Sequence, residues 1–148
     1  MKNVKFLLSA ALVFLASAAL AQDFSAPQYA KWGATPEERE QNILNSNFLK
    51  ESCDNRDYDA AAHYLKGLID KIPDAAESIY QRGAVVYKNK INRAKSVAEK
   101  NMFIDSLMLM YDMRAQYFGD NVKPGKTAFI LDQKAREFLR YKPNDRKG

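Results

Sequence analysis

A single cysteine cannot close a disulfide within its own chain, and Cys53 is the only cysteine in this sequence. Whatever fold forms must hold by packing. Cys53 falls late in an amphipathic stretch, where a thiol serves as a small buried apolar group. A reactive thiol needs a base or cation beside it in space, and the remaining option for an odd cysteine is a bridge to another chain. Histidine is also single. His63 alone excludes paired-histidine zinc sites. It lies on the polar side of a helical stretch with Asp59, Lys66 and Asp70, so it reads as a solvated surface side chain rather than a lone general base. Six glycines and five prolines leave no glycine-rich loop. Gly125-Lys126-Thr127 has the ending of a phosphate loop, but the first glycine that loop requires falls on Asp120, and Gly119 makes the spacing one too long. No stretch alternates apolar and polar residues, so no strand is expected.

One long apolar run is present, at the extreme N-terminus. Lys2 and Lys5 precede the run Phe6–Leu20, which only Ser9 and Ser17 interrupt. Ala19-Leu20-Ala21 then offers small residues at the two positions a signal peptidase reads. The run is short and alanine-rich for a bilayer span, which takes about 20 strongly apolar residues. Residues 1–21 are therefore expected to be a cleaved export signal. No cysteine follows Ala21 to carry a lipid, and no second apolar run of spanning length exists. The mature chain is expected to be soluble, with no stable membrane insertion, and to work outside the cytoplasm.

Charge excludes little but points one way. The chain carries 23 basic and 18 acidic residues, a net +5. Without Lys2 and Lys5 the balance is 21 against 18, or +3. That is mild for a nucleic-acid binder, which concentrates Lys and Arg on one face, and no nucleic-acid role is expected. The roughly 127 residues that remain suit one small domain.

What is there is helical period. Residues 22–35 show none and read as an extended lead-in, with Trp32 placed to pack back on the first helix. That helix starts at Pro36, with Thr35 as cap, Pro36 in the first position and Glu38 completing a capping box. Ile43, Leu44, Phe48 and Leu49 form its stripe, and it should end near Cys53. A second helix is expected from Tyr58 to Lys71, capped by Asp57, buried along Ala61, Ala62, Leu65, Leu68 and Ile69, and ended by Pro73. The short link makes these two antiparallel neighbours. A third helix should begin near Asp74 or Ala75, with Ile79, Gly83, Val86, Tyr87 and Ile91 on one face. It closes in Lys88, Lys90, Arg93 and Lys95, cations that suit a helix C-terminus. Ser96 and Glu99 form a second capping-box pattern, opening a fourth helix from Val97 to Phe118. Gly119 fits the left-handed position that follows a helix. Met102, Met108, Met110 and Met113 at this spacing suit core packing. Asp105 and Asp112 share a face of the same helix and suit ion pairs. A fifth helix should cover Thr127–Tyr141 and end at Pro143. The chain then stops as if a further element were starting, so a longer native protein is expected.

Asp57-Tyr58-Asp59-Ala60-Ala61, then Leu65, then Pro73, resembles the second half of a tetratricopeptide repeat (TPR). That pattern wants a small residue, a large apolar one four later, and proline at the repeat end. The small residue lets paired helices approach, the large one fills the gap, and proline turns the chain into the next pair. Residues 36–90 carry the resemblance, and 97–148 are only helical-hairpin-like. The sequence departs from the family where Trp, Leu and Gly are expected in the first helix: Asn45, Phe48 and Leu49 stand there, and only Phe48 is a fair match. The resemblance implies an all-α fold of antiparallel hairpins stacked as a short right-handed solenoid. It also implies a concave groove that binds a protein or peptide partner, with Tyr80, Gln81, Tyr87 and Lys88 as the groove candidates. No catalytic, cofactor-binding or metal-binding residue is expected. The function expected is an exported, non-catalytic interaction scaffold. The alternatives are a self-associating structural component of the envelope, or an accessory part of a longer enzyme. A solenoid of two pairs and one unpaired helix leaves an apolar face open, so residues 126–148 should form the least protected helix.

Overall fold

Local signals decide where each helix begins. The computed structural model describes residues 22–144, so the expected export signal, residues 1–21, lies outside the described residues. Five α-helices follow in order: α1 Pro36–Asp54, α2 Tyr58–Lys71, α3 Glu77–Arg93, α4 Val97–Phe118 and α5 Lys126–Tyr141. Among the described residues there is no strand, and the fold is all-α. No helix among them is long and apolar enough to cross a membrane.

The start of α1 is a complete capping box. The Glu38 N–H donates to Thr35 Oγ1 at 3.2 Å, and the Glu38 carboxylate accepts from the Thr35 N–H. The expected box at α4 is only half formed. Ser96 Oγ accepts from the Glu99 N–H, but the Glu99 carboxylate takes the Lys95 N–H instead. Asp57 caps α2 through the Ala60 N–H.

Three expectations are corrected. The lead-in is not extended: Pro27–Trp32 winds into a 3₁₀ helix. Its position is fixed from α1, where the Arg39 guanidinium donates to the Gly33 and Phe24 carbonyls at 2.9 and 3.1 Å. Trp32 does pack back, resting partly buried on the core while its carbonyl accepts from Asn42 at 2.8 Å. Second, α3 starts at Glu77 rather than at Asp74 or Ala75. The residues after Pro73 form a separate turn, held from outside by Tyr80, whose hydroxyl donates to the Pro73 carbonyl at 2.6 Å. Third, Gly119 is not left-handed, with φ −84° and ψ −132°. It is required for another reason: a Cβ there would collide with the Ala115 carbonyl and the Thr127 hydroxyl.

Helices pack in chain order, each against the next, and α1 also touches α3. Three residues, Asn55–Asp57, join α1 to α2, so short a link that the pair runs antiparallel. Two cores result. The first gathers Leu49, Ala61, Leu65, Leu68, Ile79, Tyr80 and Val86 from α1, α2 and α3, with Met110 reaching in from α4. Each buried Leu, Ile, Val or Met side chain among them contributes about 1.5–3 kcal/mol by leaving water. Gly83 sits where α2, α3 and α4 converge: a Cβ would lie 2.6 Å from Met110 Sδ and 3.2 Å from Leu65 Cδ1. The second core joins Ala84, Ile91, Ile104, Leu107, Met108 and Tyr111 to Ile130 of α5. Met108 and Met110 are core as expected, whereas Met102 is exposed.

Candidate interaction surfaces

The four groove candidates do not converge. Tyr80 is 1% exposed. Its ring stacks on Tyr117 at 6.3 Å and 9° and tilts against Phe118 at 6.0 Å. Burial pushes its phenol far above the usual tyrosine range. Tyr80 is therefore a core residue and has no face left for a partner. Tyr87 is half-buried between the two cores, with its ring 6.5 Å from Phe103. Lys88 is half-buried and lies 3.4 Å from Glu137 of α5. Gln81 alone is exposed. Val85, one turn further along α3, joins it with 42% exposure. Sequence reasoning missed Val85, although its spacing from Gln81 was the signal that could have found it.

Charges converge at the start of α3 instead. The Glu77 carboxylate accepts from Arg114 Nε at 2.9 Å and from Lys126 Nζ at 2.6 Å. Arg114, only 9% exposed, also donates through Nη1 to Gln133 at 2.9 Å. Burial works to raise the Glu77 pKa, but the hydrogen bonds from Lys126 and Arg114 outweigh it and hold the carboxyl below the usual glutamate value. One carboxylate thus links α3, α4 and α5. Nothing in the sequence spacing announces this cluster, because its members lie on three different helices.

The remaining motifs take structural places. Lys126 and Thr127, from the phosphate-loop ending, are both engaged inside the fold: Lys126 with Glu77, and Thr127 with Asp120 in a reciprocal pair at 2.9 Å. Of the basic cluster, Lys90 pairs with Asp59 and lies over the Phe103 ring, and Arg93 lies over Tyr58 at 4.9 Å. Lys90 holds the Asp59 carboxyl below its ordinary value, chiefly by a hydrogen bond. A cleft of about 280 Å³ opens there, but Asp57, Asp59 and Glu99 share it with the cations. Asp112 pairs with Lys134 at 2.6 Å. Cys53 is partly rather than fully buried, and burial raises its thiol, against the pull of Arg82. His63 is exposed, with its ring edge toward Tyr64.

Among the described residues, apolar side chains stay open at both ends of the run of helices. At the α1–α2 end, Leu44 and Phe48 are exposed, and Phe48 contacts Tyr64 at 5.3 Å. A shallow hollow of about 320 Å³ lies nearby, lined by Asn45, Tyr64 and Gly67 and by the charged Lys66, Asp70 and Lys71. At the α5 end, Phe129, Leu131 and Leu139 are exposed. No protein-family model, curated protein or solved structure matches this chain.

Proposed function

We propose that the chain is an exported, non-catalytic interaction scaffold whose helices stack as a short TPR-like solenoid and hold a protein or peptide partner. The observation that carries this reading is the α1–α2–α3 junction. Ala61 and Leu65, the small and large residues of the repeat pattern, are both fully buried, and Pro73 follows the end of α2. The first helix of one hairpin also touches the first helix of the next, the contact that lets hairpins stack into a solenoid. In such a stack the first helices of the pairs line the groove. Gln81 and Val85, both exposed on α3, then mark its floor, in place of the buried Tyr80. The apolar N-terminal run supports export through the cytoplasmic membrane.

A photo-crosslinking residue at Gln81 tests this in the living cell. A discrete crosslinked band should appear in the envelope fraction, and the same residue at Asp105 on α4 should give none. Equal labelling from both positions, or none from Gln81, would remove the groove reading.

A further inference from the structure

The two open ends of the molecule are unlike in charge. Helix α1 holds five carboxylates against two cations, a net −3. Helix α5 holds four cations against two carboxylates, a net +2. The placement matters more than the totals. Glu37, Glu40, Leu44, Phe48 and Glu51 recur at steps of three and four, so they share one face of α1, and all five are exposed. That face is an apolar pair with an acidic rim. On α5, Ala128, Leu131, Ala135 and Leu139 recur in the same way and are also exposed. Arg136 and Arg140 flank them, with 77% and 65% of their side chains in solvent, and each is paired within α5, Arg136 to Asp132 at 2.7 Å and Arg140 to Glu137 at 3.5 Å. That face is an apolar stripe with a basic rim. It is left open because α5 turns Lys126, Gln133, Lys134 and Glu137 inward to partners on α3 and α4.

We propose that these faces bind each other between copies: α5 of one molecule docks on α1 of the next, with Leu131 and Leu139 against Leu44 and Phe48. Arg136 and Arg140 then meet Glu37, Glu40 and Glu51 around the apolar contact. Pairing α5 with a second α5 would bring two +2 helices together, which the head-to-tail arrangement avoids. Because the two surfaces differ, the contact is heterologous, so it joins copies head to tail into open chains or closed rings. One helix face per side is a small contact, and association should be concentration-dependent and weakened by salt. The proposal uses neither Gln81 nor Val85, the groove residues on α3.

The test is complementation. Sedimentation velocity of the purified protein should show mean mass rising over a tenfold concentration range. The double variant Leu44→Glu, Phe48→Glu should be monomeric alone, as should Leu131→Glu, Leu139→Glu. An equimolar mixture of the two should form a dimer and nothing larger, since each retains one intact and opposite face. Circular dichroism matched to the parent shows that the variants are folded. Should either apolar variant fail to fold, the rim carries the test: Glu40→Lys, Glu51→Lys mixed with Arg136→Glu, Arg140→Glu should associate more strongly than either alone. A parent that stays monomeric throughout, an α1 variant that assembles like the parent, or a mixture that gains nothing in both experiments would each overturn the proposal.

Discussion

Helices α2 and α5 are nearly equal in length and both strongly amphipathic, yet they are held in place by different forces. Helix α2 buries Ala61, Leu65 and Leu68 completely. Helix α5 fully buries only Ile130, with Phe138 and Tyr141 partly buried against the same core, and adds four polar anchors: Lys126 to Glu77, Gln133 to Arg114, Lys134 to Asp112 and Glu137 to Lys88. Apolar burial is non-directional and involves no charge for salt to screen or pH to titrate. Ion pairs depend on the protonation of both members and weaken with screening. One end of the domain should thus respond to volume changes, and the other to charge, pH and ionic strength.

The largest expected effect lies at the apolar end. Leu65→Ala removes a fully buried side chain that touches α3 beside Gly83, and should cost about 3–4 kcal/mol in urea unfolding. The loss should be the same in low and high salt. A strong salt dependence would break the distinction between the two ends. Glu77→Gln is the counterpart at the polar end. It leaves Arg114 buried and Lys126 without its carboxylate, at a cost of about 3 kcal/mol. Hydrogen exchange should place that loss in α5 and leave α2 amides protected. In the unaltered protein too, α5 should be the least protected helix, and protection equal to that of α2 would refute the contrast.

That contrast was only half legible in the sequence. The bounds of α2 and α4 follow from caps and stops within each segment: Asp57 with Pro73, and Ser96 with Gly119. The apolar core of α2 followed from period alone. The start of α3 was not legible, because a tyrosine seven residues after Pro73 holds the intervening turn out of the helix. The 3₁₀ lead-in was equally hidden, since Arg39 fixes it from another element. Tyr80 and Tyr87 were assigned to a groove by position in a repeat. Their burial depends on Tyr117, Phe118 and Phe103, which arrive from α4 and carry no mark in the local pattern. The same holds for the Glu77 cluster. Local caps and period reach as far as one helix, and everything that joins three helices was outside them.

Acid should release α5 before it unfolds α2. The Glu77 carboxyl sits below its ordinary value of 4.5 in the folded protein. A group with a depressed folded pKa contributes stability above its unfolded value, and that contribution is lost as pH falls through the folded one. Stability from this cluster should therefore be complete at neutral pH, begin to fall below about pH 4.5, and be gone once the lowered folded value is passed. Near-ultraviolet circular dichroism and α5 amide exchange should move together over that window. Glu77→Gln should abolish the α5 transition there. A transition that survives in the variant would show that another carboxylate controls it.

The smallest effect sharpens the comparison by separating exposed ion pairs from the buried one. Lys66 and Asp70 sit one turn apart on α2 at 2.5 Å, but 76% of the Lys66 side chain is in solvent. Their geometry is as close as that of Lys126 with Glu77, whose side chains are mostly shielded. If contact distance alone set the strength, the two lysines would matter equally. Solvent screening and the cost of ordering a long side chain predict otherwise, and Lys66→Ala should leave stability almost unchanged. Lys126→Ala should cost clearly more, with the difference shrinking at high salt. Equal effects from the two substitutions would mean that α5 is not held by its shielded charges, and that Ile130 and its apolar neighbours carry the helix alone.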